Sequence, residues 1–287
     1  MDLRKSATIF GLLIVACSPP APTGTTASTT TATSIAPSPP TTVTAPASTC
    51  PDGDPMVEAG RVLDIAQPST DAESIGAITW HAQPGCETFT IELVTDQGAP
   101  ATTPPSVTIE LLRELSILRV HLALDATAVT DQLVETRVVG RYFVVRKVDR
   151  SLFVDLHLTA PAIARASLAN GPASVVVELE PGGPTYAGAP AIGDLMVLTS
   201  PLAGPSPVPV LIEGYGRPFE ANVVYTFRQD DAVLLQDVTN ATDYSDTWGS
   251  FSTTADPGIS GQVELFVGQF SGEDGSERGV VVGLELP

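Results

Sequence analysis

The chain has 287 residues and carries 33 acidic side chains against 14 lysines and arginines, a formal net charge of −19. So negative a surface repels phosphate backbones and anionic headgroups, which excludes nucleic acid and a lipid-headgroup surface as partners. The apolar fraction of 43% is enough for real cores, so the acidity belongs to a folded surface, and the length leaves room for two ordinary domains.

Arg4 and Lys5 form a short basic stretch, followed by an uncharged, mostly apolar run from Ala7 to Ala16. A bilayer-spanning helix needs about 20 apolar residues, so this run has the length of a signal-peptide core instead. Its end, Ile14-Val15-Ala16-Cys17, resembles the bacterial lipobox: an aliphatic residue, a tolerant position, a small residue and a cysteine. The resemblance implies a lipoprotein signal peptide over residues 1–16 and a diacylated Cys17 at the start of the mature chain. The protein would then sit in the cell envelope, lipid-anchored on the extracytoplasmic face of the cell membrane and touching that membrane through the lipid alone. The alternative is an ordinary secretory signal that happens to contain a cysteine.

From Ser18 to Thr49 every residue except Gly24, Ile35 and Val43 is Ser, Thr, Pro or Ala, and none is charged. Nothing there can bury a core, so residues 17–49 are expected to be the lipidated cysteine followed by a disordered, partly polyproline-like tether. Its reach is about 30 Å as a coil and approaches about 100 Å when extended. With Cys17 lipidated, Cys50 and Cys86 remain as an even pair in an oxidising compartment, where a disulfide persists. Two free buried thiols are the alternative.

Strand signals begin after Cys50. Ile75 to Trp80 and Glu87 to Thr95 flank a Pro84-Gly85 turn and predict a hairpin. Val107 to Leu115 fits either a strand or a turn of helix, whereas Leu118, Val120, Leu122 and Leu124 clearly share one strand face. Val138 to Val148 and Leu152 to Leu158 are joined by Asp149-Arg150-Ser151, a short hairpin connection. In the second of these, Leu152, Val154, Leu156 and Leu158 point one way and Phe153, Asp155 and His157 the other. A short helix is expected over Pro161 to Ala169, and a last strand over Ser174 to Glu180. Short strands separated by turns argue for a β-sandwich with little helix.

Cys86-Glu87-Thr88-Phe89-Thr90, Gly98-Ala99-Pro100-Ala101 with Pro104-Pro105, Ser151 to Leu156 and Val175 to Leu179 together resemble the AMIN-like domain of bacterial envelope lipoproteins. The resemblance covers about residues 75–182 and sets the first domain at 50–182. AMIN domains proper accompany cell-wall amidases and secretion pores and bind peptidoglycan, so the resemblance implies a wall-binding role, with no site residues carried over.

Residues 183–194, rich in Gly, Pro and Ala, are expected to be an interdomain linker. Beyond them Phe219, Ala221, Val223, Tyr225 and Phe227 alternate with polar neighbours over one strand. Further strands are expected at 195–199, 208–214, 232–238, 248–254, 262–270 and 279–286. About seven short strands in roughly 95 residues suit an immunoglobulin-like sandwich over residues 195–287, without the Cys-Trp-Cys core of antibody domains. Ser200-Pro201, Ile212-Glu213-Gly214, Pro218-Phe219-Glu220-Ala221-Asn222-Val223, Gly249-Ser250-Phe251 and Asp274-Gly275-Ser276 resemble Gmad2, the immunoglobulin-like domain found beside bacterial germination modules. The expected fold class is therefore all-β, two sandwiches after a disordered tether.

Catalytic signatures are not found: no His-Glu-x-x-His, Cys-x-x-Cys or Gly-x-Ser-x-Gly occurs, and no cofactor, metal site or catalytic residue is assigned. His121, His157 and Asp155 would form a metal or acid–base trio if their strands were neighbours; two solvent-facing histidines are the favoured reading. Arg137, Arg141, Arg146, Lys147 and Arg150 stand out as a cationic cluster in an acidic chain. Arginine's planar fork suits carboxylates and phosphates, so the cluster is the candidate ligand-binding site, against the alternative that its cations pair with local acids such as Asp149 and Glu135. The expected function is a non-catalytic, membrane-anchored envelope lipoprotein that binds peptidoglycan or another wall polymer, with an envelope protein as possible further partner. The rivals are a wall-active hydrolase and a ligand-carrying lipoprotein.

Overall fold

The computed structural model describes residues 50–287 other than Asp52 and Asp231; the expected signal peptide, Cys17 and the tether lie outside the described residues. Cys50 and Cys86 are joined in a disulfide with a sequence separation of 36. Closing a loop of that length is expected to stabilise the fold by about 3–4 kcal/mol. Reduction should therefore lower the denaturation midpoint, and thiol titration of denatured, unreduced protein should detect neither Cys50 nor Cys86. Two reactive thiols from that pair would contradict the bridge.

Residues 60–181 alternate apolar and polar side chains over eleven short strands. They are β1 (Gly60–Ile65), β2 (Ser74–Gln83), β3 (Cys86–Val94), β4 (Val107–Leu112), β5 (Ile117–Leu122) and β6 (Ala126–Thr127). After these come β7 (Asp131–Leu133), β8 (Val139–Arg146), β9 (Leu152–Leu158), β10 (Ala162–Ala169) and β11 (Ser174–Pro181). One layer runs β10-β11-β3-β2-β6 and the other β1-β4-β5-β9-β8, with β7 on β8. Between the layers lie Phe89, Ile91 and Val177 from the first and Val120, Val154 and Leu156 from the second, all buried. The ambiguous segment after Val107 resolves as strand, because Val107, Ile109 and Leu111 face this core together.

The helix expected over Pro161 to Ala169 is not formed. That segment is β10, paired with β11 at eight successive positions. Its alanines alternate, placing Ala162, Ala164 and Ala166 inward, and cross-strand burial overrides the helix preference of alanine.

The second lobe comprises β12 (Ala191–Ile192), β13 (Met196–Ser200), β14 (Gly204–Pro205), β15 (Val210–Gly216) and β16 (Asn222–Gln229). It continues through β17 (Ala232–Asn240), β18 (Trp248–Ala255), β19 (Gly261–Phe270) and β20 (Glu277–Leu286). The sheet β14-β20-β19-β16-β17 faces β12, β13, β15 and β18 across a core that includes Ile212, Phe227, Phe251 and Leu265. The strand expected from Phe219 begins only at Asn222. Glu220 and Ala221 take φ of 56° and 62°, a left-handed turn that leaves Phe219 73% exposed instead of continuing the inward face of Val223, Tyr225 and Phe227.

The two lobes share one sheet. β8 and β18 pair in parallel through Val145↔Trp248 and Arg146↔Gly249, giving the order β1-β4-β5-β9-β8-β18-β15-β13-β12. Residues 183–194 run along the first lobe: Arg113 Nη2 donates to the Thr185 carbonyl at 3.1 Å, Ser116 Oγ to that of Gly188, and the Tyr186 hydroxyl accepts from Ala162 N at 2.8 Å. Ala191 and Ile192 then enter the shared sheet as β12.

Candidate binding site at the junction of the two lobes

Alternation gives β8 and β9 a second face besides the one in the first core. Tyr142 and Val144, and Leu152, Val154 and Leu156, fill the core. Phe143, Val145, Phe153, Asp155 and His157 point away from it. All seven residues of β9 are nevertheless buried. The outward face of the second lobe covers them, because Val197, Tyr215 and Trp248 form one apolar cluster with Phe143, Val145 and Phe153. Phe143 meets Trp248 edge to face at 4.7 Å between centroids and Tyr215 at a tilt, 5.4 Å away.

Four polar groups meet in this seam, three of them buried and Arg119 partly so. β5 and β9 are neighbours in register, which sets Arg119 opposite Asp155. Arg119 Nε and Nη2 donate to the two carboxylate oxygens at 2.7 Å each, and Asp155 is 0% exposed. His157 Nε2 lies 2.5 Å from the Tyr215 hydroxyl, which also bonds Asp155. A hydroxyl has one proton, and the charged oxygen is its stronger acceptor. The assignment that satisfies every group has Tyr215 donating to Asp155 and the neutral His157 Nε2–H donating to Tyr215. Burial drives the His157 pKa down to about 4, outweighing the nearby Asp155 carboxylate, and Arg119 and Arg141 push the same way. Burial, with Asp155, raises the tyrosine well above its usual value. His157 is thus a sealed, neutral residue and not the solvent-facing one expected from alternation.

The metal or acid–base trio is not assembled. Asp155 is held by Arg119 and His157 by Tyr215, while His121 Nε2 lies 3.9 Å from Glu110. Cys50, Cys86 and Glu178 stand within ligating distance of one another, but both sulfurs are spent in the disulfide.

The cationic cluster is dispersed by pairing. Arg141 Nη2 donates to Asp131, Arg146 Nε to Asp243 at 2.8 Å, Lys147 lies 3.5 Å from Asp149, and Arg150 3.5 Å from Asp125. Arg137 is exposed and has no such partner among the described residues. Arg146 bridges the lobes, since Asp243 belongs to the second. Thr242 Oγ1 donates to the Arg146 carbonyl at 2.5 Å, Thr247 Oγ1 to that of Val144 at 2.6 Å, and Trp248 Nε1 to Asp131 at 3.0 Å. Among the five, Arg146 is a strut of the seam, and Arg141 alone lines a cavity together with residues of the 183–194 segment.

That cavity is an open cleft of about 960 Å³. Its walls are mostly apolar, with Leu133, Leu158, Pro190 and Ile192 beside Arg141 and Glu135. A second cleft, about 580 Å³, lies at the junction between Arg119, His121 and Lys147 on one lobe and Glu213 and Tyr215 on the other. The quartet reaches both: His157 lines the first, Arg119 and Tyr215 the second.

Residues 197–276 match Gmad2, the immunoglobulin-like domain of bacterial spore germination. No curated protein and no solved structure matches the chain. The Gmad2 match includes every second-lobe group named in the seam: Val197, Tyr215, Thr242, Asp243, Thr247 and Trp248. None of these six was marked by sequence reasoning. The usable signal was parity, since Phe143, Phe153 and Tyr215 are large aromatics on strand faces turned away from their own cores.

Proposed function

We propose that the protein is a non-catalytic binding lipoprotein of the cell envelope, anchored through Cys17 and holding peptidoglycan or another wall component in the cleft between its first lobe and the 185–192 segment. The observation that carries this reading is the open cleft beside Arg141, of the size and apolar character common to ligand sites, about 300–1,000 Å³. Its ionisable neighbours favour binding over proton transfer. Arg141 is paired with Asp131, and His157, with its pKa near 4, is buried against Tyr215. The lipobox-like Ile14-Val15-Ala16-Cys17 and the uncharged tether support a position off the membrane within the wall layer. A contact with another envelope protein is a second role, favoured by Phe219, which the left-handed turn at Glu220 and Ala221 holds out to solvent on the Gmad2 domain.

The test is sedimentation of the full chain with purified peptidoglycan. Co-sedimentation that weakens as salt rises is expected, since attraction to exposed charge decays over a Debye length of about 8 Å at physiological ionic strength. Protein left wholly in the supernatant at low salt would overturn the wall-binding reading and turn attention to the protein partner.

A further inference from the structure

We infer that the larger cleft is a site for a short peptide bound in extended form, with its terminal carboxylate on Arg141. The inference rests on the binding reading above and gives it a ligand class. One wall of the cleft is the segment 185–189, which belongs to no strand or helix. Its Thr185 and Gly188 carbonyls are taken by Arg113 and Ser116, yet the N–H groups of residues 185–189 have no partner among the described residues. Open backbone donors along a cleft wall are what the carbonyls of a bound peptide pair with.

Across the cleft, β7 and β8 place Leu133 directly opposite Arg141. Leu133 is 61% exposed and Ile192, on the linker side, 46%, an apolar rim suited to small aliphatic side chains. The Arg141 guanidinium lies 4.8 Å over the Phe143 ring. Its Nη2 is engaged by Asp131 and its Nε is buried without a partner, which leaves Nη1 as the donor for a ligand. Asp131 also accepts from Trp248, which fixes the carboxylate and with it the guanidinium. Glu135 in the same cleft disfavours polyanions such as a phosphate polymer and suits a ligand with one carboxylate and a free amine. An extended peptide meets all three conditions: backbone acceptors, small apolar side chains and a single terminal carboxylate.

The experiment titrates the full chain with trialanine and with trialanine amide, following backbone amide shifts by NMR. Losing a charge-assisted hydrogen bond should weaken the amide by about tenfold or more. Shifts should centre on residues 185–189. Arg141→Gln should bring trialanine down to the level of the amide, and Ile192→Asp, at an exposed rim position, should weaken both peptides. Equal affinity for acid and amide, or binding of neither by the native chain, overturns the assignment without relying on a variant. Peptidoglycan sedimentation run in parallel separates the two claims. Sedimentation without trialanine binding overturns the cleft assignment and keeps the wall reading, and trialanine binding without sedimentation does the reverse.

Discussion

Replacing Arg119 with leucine is expected to cost about 3–5 kcal/mol of stability, the usual penalty for stranding a buried charge. Asp155 would lose both of its 2.7 Å guanidinium bonds at a site with no solvent exposure, keeping only the Tyr215 hydroxyl. Packing is lost as well, because the Arg119 guanidinium lies 4.2 Å over the Phe153 ring. Arg119→Leu combined with Asp155→Leu should recover most of the loss, since removing both charges also removes their desolvation cost. Denaturant titrations followed by tryptophan fluorescence provide the measurement, Trp248 reporting the seam and Trp80 the first lobe. A single substitution costing under about 1 kcal/mol would mean that water reaches Asp155 and that the seam is not sealed.

The same residues show where periodicity stops informing. Alternation correctly assigned the face of β9 that carries Leu152, Val154 and Leu156, because one buried face is enough to set a strand's register. It also assigned the opposite face correctly, but could not say what would cover it. Phe153, Asp155 and His157 have the spacing of a solvated face, and only Tyr215, 58 residues beyond His157, closes over them. The cationic cluster failed as a single patch for a related reason. Its density between Arg137 and Arg150 was visible, but Asp243, which neutralises Arg146, lies 97 residues away. Local propensity misled at Ala162 to Ala169, where pairing with β11 decided the outcome. At Phe219 the apolar alternation was real, and two residues of left-handed backbone cancelled it. The disulfide was legible because cysteine counting leaves one pairing once Cys17 is set aside.

Acidification from pH 6.5 to 4 is expected to remove up to about 3 kcal/mol of stability through His157 alone. Burial between β9, β8 and β15 is the cause, and the charged groups facing the ring are Asp155, Arg119 and Arg141, with the neutral Tyr215 hydroxyl on Nε2. The folded-state pKa of about 4 lies below the value of 6.5 expected in the unfolded chain. Between these limits the unfolded state binds a proton that the folded state refuses, so stability falls as pH falls. Above 6.5 neither state is protonated and below 4 both are, so the slope is confined to that window. His121 contributes in the same direction, its pKa also lowered mainly by burial. The carboxylates of Asp131 and Asp243, held low by Arg141 and Arg146 against the opposing effect of burial, contribute stability that begins to be lost below about pH 5, as unfolded carboxylates take up protons, and goes fully only at more acid pH. His157→Gln keeps a side-chain N–H within reach of Tyr215 and removes the titration. Its stability should be nearly flat between pH 6.5 and about 5 apart from the smaller His121 contribution, while the parent declines. A slope unchanged by His157→Gln would show that the ring is protonated in the folded state, and that the two lobes admit water along the seam.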